Sequence, residues 1–308
     1  LQSRGLGDVY KRQELGQSFR RFGSRVHIVE MFERILIKED KEVSKFMADR
    51  LKAEGIELRT LSKAVKFASN ESGEKIVTIK TESGSEDIVC DEILVAVGRK
   101  PNIEGLDLEK AGVNYDHRSI QTDDYLRTSA NNIYAAGDVT AHFQFTHMAD
   151  YEAQLVLNNA FLFWPLKKKA DYLVVPWTTF SEPEVARVGM IEEEAVAKYG
   201  DDIKIYKAPF SHNDRALAEG AGEGFAKLVL KGKKILGVTI VGPHAGELIS
   251  EFTVAMKHGL SIAKLNEAIH VYPTLAKVTQ ALGIEETMES FKKPWVQTWI
   301  KRYLRFLR

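Results

Sequence analysis

The stretch Ile269–Lys277, IHVYPTLAK, brings three side chains that can carry or steer a proton, His270, Tyr272 and Lys277, within eight residues around a proline. Two readings are open: a proton-handling site, or the start of an ordinary packed helix with Pro273 as its first residue. Side-chain chemistry narrows the first. A phenol with an ordinary pKa of about 10 is a poor base near neutrality, yet it readily donates a hydrogen bond to an anion or a thiolate. An ammonium offers no acceptor, so Lys277 cannot orient the N–H of a neighbouring ring. In an extended segment His270, two residues from Tyr272, projects to a similar side, which makes it a second proton carrier.

Three further positions suit a nucleotide. Glu30 closes the apolar run that begins at Val26, and a carboxylate there accepts hydrogen bonds from the 2′ and 3′ hydroxyls of an adenosine ribose. Gly98 ends the run Leu94-Val-Ala-Val, where a side chain would collide with a nucleotide passing close to the backbone; a plain turn glycine is the alternative. A second apolar run, Ile133-Tyr-Ala-Ala, meets Gly137 and then Asp138, either a binding carboxylate or a helix cap. No metal site is expected, because His147 has no second ligand at workable spacing. The single cysteine, Cys90, excludes an internal disulfide framework and a thiolate-rich metal centre, so a reducing cytoplasm is the expected compartment.

These residues need elements to position them. ELGQSFRRFG, from Glu14, has helical spacing and closes on Gly23 where a left-handed residue would end the helix. Helix, glycine, short apolar strand and terminal carboxylate form the second half of a βαβ nucleotide unit. A helix from about Lys41 to Gly55 carries Val43, Phe46, Met47 and Leu51 on one face. Successive β-like runs follow, predicting an antiparallel meander beside a parallel sheet in which Leu94–Gly98 is a central strand. Ile133–Gly137 reads as another strand running into a helix, and from Val174 to about Gly283 strands and helices alternate in an α+β arrangement. Residues 1–13, LQSRGLGDVYKRQ, lack periodicity and read as foreign, adapter-derived text; Gly5 and Gly7 follow no strand, so they are not a phosphate loop.

With 43 basic and 43 acidic side chains, the 308-residue chain has no global field to recruit nucleic acid. No apolar run approaches the roughly 18–20 residues of a membrane-spanning helix. The last eighteen residues, FKKPWVQTWIKRYLRFLR, are a distinct segment with six basic residues and no acid. Val296, Trp299, Ile300, Tyr303, Leu304 and Leu307 share one helical face. That pattern suits either docking on the protein or its dimer mate, or peripheral contact with an anionic membrane.

Four stretches, LVAVGRKPN (94–102), NNIYAAGDV (131–139), SEPEVARVG (181–189) and HVYPTLAK (270–277), stand together in order. With them the chain from Glu14 to about residue 290 resembles the flavin-dependent class I pyridine nucleotide-disulfide oxidoreductases, the family of dihydrolipoamide dehydrogenase, glutathione reductase and mercuric reductase. PWTTFSEPEVARVG and NDRALAEG are most similar to the mercuric reductase-like branch. The resemblance implies an α/β fold of Rossmann-like dinucleotide-binding domains, partial here, plus a C-terminal α+β dimerisation domain. Its boundaries would be 14–98 for the NAD(P) domain, truncated at its start, 99–168 for a FAD-contacting segment, 169–290 for dimerisation and 291–308 for the basic amphipathic tail. It further implies a homodimer that passes hydride from NAD(P)H to FAD and on to a disulfide or another small acceptor. Glu30 favours NADH over NADPH, although Arg34 stands near enough to keep NADPH open.

Carried over residue by residue, the resemblance makes Asp138, after Gly137, the acid on the flavin's ribityl or ribose hydroxyls, and Phe145, Thr146 and His147 backbone contacts of the flavin. Glu14 matches an acid that pairs with a lysine beside the flavin, and Gly98 lies near the nucleotide. Tyr272 stands where most of the family has a histidine, and Lys277 where that histidine's orienting glutamate would be. This departure argues against dithiol reduction of the lipoamide type and towards a mercuric reductase-like or soluble transhydrogenase-like activity. The tail lacks the C-terminal cysteine pair of mercuric reductases, which puts mercury as substrate in doubt. The family's flavin fingerprint and redox cysteine pair do not occur in these residues, so the chain is expected to be the C-terminal part of a longer enzyme. A truncated product that only dimerises is the non-enzymatic alternative.

Overall fold

The computed structural model describes residues 8–306 and divides into two compact units, one comprising the chain up to Ile37 with Met47–Tyr172, the other Lys38–Phe46 with Leu173 onward. In the first unit, helix α1 (Asp8–Arg21) begins inside the segment that the sequence sets aside as foreign. It buries Tyr10 and Gln13. Gly5 and Gly7 lie outside the described residues. Gly23, at φ +100°, closes the helix with the Ser24 amide bonded back to the Phe19 carbonyl, a turn that a Cβ would strain.

Strand β1 (His27–Val29) pairs in parallel with β2 (Glu57–Arg59) across helix α2 (Lys41–Ala53), whose Val43, Met47 and Leu51 are buried one turn apart. Strands β3 (Lys63–Ser69), β4 (Lys75–Thr81) and β5 (Gly84–Cys90) form an antiparallel meander that buries Val77, Ile79 and Ile88. Leu94–Gly98, read above as a central strand, forms none, and Leu94, Val95 and Val97 are exposed. An apolar strand needs hydrogen-bonded neighbours on both edges, and the described parallel sheet contains only β1 and β2. Ile133–Gly137 likewise makes a single bridge, Tyr134 to Arg127, before a short 3₁₀ turn over Gly137–Thr140. Its surroundings are a small core of Leu108, Val113, Ile120 and Ala135, followed by helix α3 (Thr146–Phe161).

The second unit is built on a five-stranded antiparallel sheet in the order β6-β7-β10-β9-β8. Its elements are β6 (Pro176–Thr179), β7 (Glu184–Gly189), α4 (Glu192–Tyr199), β8 (Lys204–Pro209), α5 (Asp214–Ala218), β9 (Phe225–Lys231) and β10 (Lys234–Gly242). Helices α6 (Ala245–Lys257), α7 (Ile262–Asn266), α8 (Lys277–Phe291) and α9 (Pro294–Phe306) follow. Pro273 does not start a helix; α8 begins four residues later. Alternation along the strands sends Ala186, Val188, Leu228, Val238 and Ile240 into a core with Ile249 and Phe252 of α6 and Leu282 of α8.

The opposite face carries charge in one cross-strand row. Register aligns Trp177 with Arg187, Arg187 with Thr239, Thr239 with Lys227 and Lys227 with Lys207. Acidic side chains meet this row: the Lys227 ammonium lies 3.3 Å from Asp40, 2.8 Å from Glu42 and 2.6 Å from Glu192. Glu42 also reaches Lys207 at 2.6 Å, and so neutralises two lysines that oppose each other across the strands. Arg187, over the Trp177 ring at 4.6 Å, pairs with Glu194, while Trp177 Nε1 donates to Glu39 at 2.9 Å.

Candidate active site

In the second unit, Tyr272, Lys277, Asp214, His212 and Arg215 line a cavity of about 230 Å³ between the α5 segment and the start of α8. The Tyr272 hydroxyl donates to Asp214 Oδ2 at 3.1 Å, and that bond to a carboxylate raises the phenol's pKa. Tyr272 is therefore held as a donor, with its ring two-thirds exposed at the cavity wall. Lys277 turns to Gln280 on its own helix. Asn213 fixes this geometry: its side chain caps α5 by accepting the Ala216 amide and donates to the carbonyls of Thr274 and Leu275.

His270 does not share Tyr272's side. Its Nε2 sits 3.0 Å from Glu251 Oε1 and its Nδ1 3.0 Å from the Ala268 carbonyl, with the ring almost enclosed. Thr279 of α8 donates to the other Glu251 oxygen at 2.7 Å. This arrangement ties the 270 segment to α6 and α8, and His270 is not among the cavity residues. A period-of-two projection fails because the chain turns here instead of running as a strand.

In the first unit, Gly137 sits at φ +77°, and a Cβ there would fall 2.9 Å from Ala149 Cβ of α3. Its amide donates to Glu152 Oε2 at 2.6 Å. Asp138 faces outward, with Oδ2 held by Arg99 at 2.8 Å; the same guanidinium donates to the Gln144 carbonyl at 2.9 Å. Gly98, immediately before Arg99, is at φ +146°. Phe145 is the residue before helix α3, whose first residues are Thr146 and His147, and its ring stacks on His147 at 5.2 Å. The helix N-terminus carries the positive end of its dipole, the usual place for an anion or a polar ligand atom.

Glu152, which no sequence motif marks, organises this region. It is fully buried and accepts from Tyr172 at 2.6 Å as well as from Gly137, with His142 Nδ1 at 3.5 Å. Burial raises its pKa, but the hydrogen bonds from His142, Tyr172 and Gly137 outweigh burial and hold it below its ordinary value. Burial and the same bond push the Tyr172 phenol well up. No motif marks Glu251 either, whereas Arg99 lies within LVAVGRKPN and Asp214 within NDRALAEG, the signals available for them.

Glu30 follows β1 and is buried, with Arg12 at 2.7 Å on Oε2 and the Phe32 amide at 3.1 Å on Oε1. Glu14 is a half-buried residue of α1, and its carbonyl accepts from Ser18 at 2.8 Å. Cys90 ends β5 as a free, half-buried thiol whose pKa burial raises, the reverse of a reactive thiolate.

Two family models match the chain: pyridine nucleotide-disulphide oxidoreductase over residues 13–153 and the dimerisation domain of the same family over 175–282. The chain belongs to the pyridine nucleotide-disulphide oxidoreductase family. The match to the family begins no earlier than residue 13. A dihydrolipoyl dehydrogenase of Thermus scotoductus is 40% identical over 91% of this chain and 59% of its own length. A mercuric reductase of Staphylococcus aureus is 38% identical over 88% of this chain and 50% of its own. The chain thus spans between half and three-fifths of these relatives. Among solved structures, the HOCl-induced flavoprotein disulfide reductase RclA of Escherichia coli superposes with a TM-score of 0.82 at 28% identity, over 90% of this chain and 63% of that one. The family's dimerisation model covers the five-stranded sheet and the start of α8, which supports a homodimer. Among the described residues, no helix is long and apolar enough to cross a membrane.

Proposed function

We propose that this chain is the C-terminal part of a homodimeric, FAD-dependent NAD(P)H oxidoreductase of the mercuric reductase-like branch. The observation that carries the proposal is the Tyr272–Asp214 pair at a cavity in the dimerisation unit, a phenol held as donor where the resemblance implies a proton-handling side chain. FAD, when bound, supplies the electron chemistry between the nicotinamide and the terminal acceptor. The chain's own residues position and polarise. Asp138, braced by Arg99, offers a carboxylate to hydroxyl groups of the flavin, and the first turn of α3 offers its positive end. Gln144 supports the fit, because it is buried beside Phe145 with its Oε1 unpartnered, an acceptor awaiting a donor.

The fit to NADH is weaker. Glu30 already holds Arg12 and the Phe32 amide, so ribose hydroxyls would have to displace or share with that guanidinium. Tyr272 would donate a hydrogen bond to an anionic acceptor or a thiolate, exchanging Asp214 for it. The acceptor is a disulfide or another small oxidant, and the setting is a reducing cytoplasm, for which the lone cysteine argues. Peripheral membrane contact would come through residues 291–308.

The test is reconstitution of the full-length enzyme carrying this chain with FAD. A yellow protein whose visible band bleaches on anaerobic addition of NADH is expected, and Asp138→Ala should retain severalfold less FAD through gel filtration. A full-length protein that stays colourless would overturn the reading in favour of a chain that only dimerises.

A further inference from the structure

Helix α9 lies beyond residue 282, where the match to the dimerisation domain ends. Among its described residues none is buried. Trp295, Val296, Trp299, Ile300, Tyr303 and Leu304 fall within one half of the helical wheel at 100° per residue, while Gln297, Thr298, Lys301, Arg302 and Arg305 fill the other. Trp299 and Tyr303, one turn apart, stack in parallel at 5.6 Å. The helix therefore presents a half-cylinder of apolar surface on which Trp295, Trp299, Tyr303 and Leu304 are exposed and Val296 and Ile300 half-buried.

The charge distribution indicates what covers it. From Phe291 to Phe306 there is no acidic residue against five basic ones. Lys292 and Lys293 close α8, whose C-terminal dipole favours cations, so the charge that calls for a partner is that of Lys301, Arg302 and Arg305 on α9. The rest of the chain carries the compensating acidic excess, 38 basic against 43 acidic side chains, which makes this a local field. Nucleic acid would satisfy the basic flank and leave the apolar half in water. A bilayer surface with anionic headgroups satisfies both. Its interface accommodates Trp and Tyr rings at headgroup depth, the aliphatic side chains reach the acyl boundary, and Lys301, Arg302 and Arg305 extend their stems towards phosphates. Thirteen residues rise roughly 20 Å, too short to span, so the helix lies in the plane of the interface.

We infer that α9 is an in-plane anchor for a membrane surface rich in anionic phospholipid. The inference deepens the peripheral contact proposed above and requires no bound nucleotide, so it stands or falls separately from the redox assignment. The test is co-sedimentation of the full chain with vesicles of phosphatidylcholine, with and without phosphatidylglycerol. Binding to the anionic vesicles alone, weakened by salt, is expected. Each cation near such a surface is worth a factor of about five, so Lys301→Gln with Arg305→Gln should weaken partitioning about 25-fold. Trp299→Ser with Ile300→Ser, which leaves the charge intact, should weaken it at least as much. Equal binding to both vesicle types, or binding that survives the Trp299/Ile300 change, would overturn the inference. So would a shift in oligomeric state by the same variants with no vesicle binding, which would assign the face to contact between copies.

Discussion

Both units bury a carboxylate, and they compensate it differently. In the second unit Asp40 faces the Lys227 ammonium, yet burial prevails and its pKa is pushed up to about 6. In the first, Glu152 has no lysine or arginine on it, and its pKa still falls below the ordinary value. The difference lies in how many oxygens are satisfied. Both oxygens of Glu152 accept hydrogen bonds, whereas Asp40 Oδ1 receives the Glu192 amide and Lys227 while Oδ2 is buried without a donor and the neighbouring Glu193 carboxylate raises the pKa further. An opposite charge alone does not offset desolvation when half of the carboxylate goes unmet.

Breaking the larger cluster should cost most. Lys227→Met leaves Asp40, Glu42 and Glu192 facing one another around a buried site, and a loss of about 3–5 kcal/mol is expected for removing one partner of a buried ion pair. Urea denaturation followed by tryptophan emission measures it; a loss near zero would mean that the row is solvated in solution. Glu152→Gln keeps the shape but removes the charge that Tyr172 and the Gly137 amide bond, which should cost about 1.5–3 kcal/mol, read as a lower thermal midpoint.

The two carboxylates should also impose opposite pH slopes. Asp40 is raised from 3.8 to about 6 in the folded chain, so its folded state binds more protons between those values. Its contribution is fully present below about 3.8 and is lost as pH rises through about 6. Glu152, lowered from 4.5, contributes stability that is present above 4.5 and lost as pH falls through its folded value. In Asp40→Asn, stability measured across pH 4 to 6 should lose the falling component that the parent chain shows. Parallel curves for parent and variant would contradict the assignment.

Elements with a local period were legible in the sequence: α1, α2, the β3–β5 meander, α3 and the alternation of the large sheet all follow from apolar spacing. What failed was whatever depended on partners distant in the chain. Leu94–Val97 has the composition of a central strand but no described neighbours to bond, so composition alone misplaced it. The contact of Arg12 with Glu30, eighteen positions away, is another that no local period signals. Asp214 and Glu251 act on Tyr272 and His270 across 58 and 19 residues, distances over which no spacing rule operates. The family motifs located the segments around Asp138 and Tyr272; only the fold reveals that His270 is a brace between α6 and α8.

The smallest expected effect on stability, within about 0.5 kcal/mol for an exposed side chain, belongs to Tyr272→Phe, and it is the one that bears most directly on function. The decisive measurement is rapid-mixing kinetics of the full-length, flavin-loaded enzyme with and without this change, following the two half-reactions separately. The account predicts unchanged reduction of flavin by NADH and slowed transfer to the acceptor, because the Tyr272 hydroxyl serves the acceptor alone. Loss of the NADH half-reaction, or acceptor transfer at the parent rate, would contradict it.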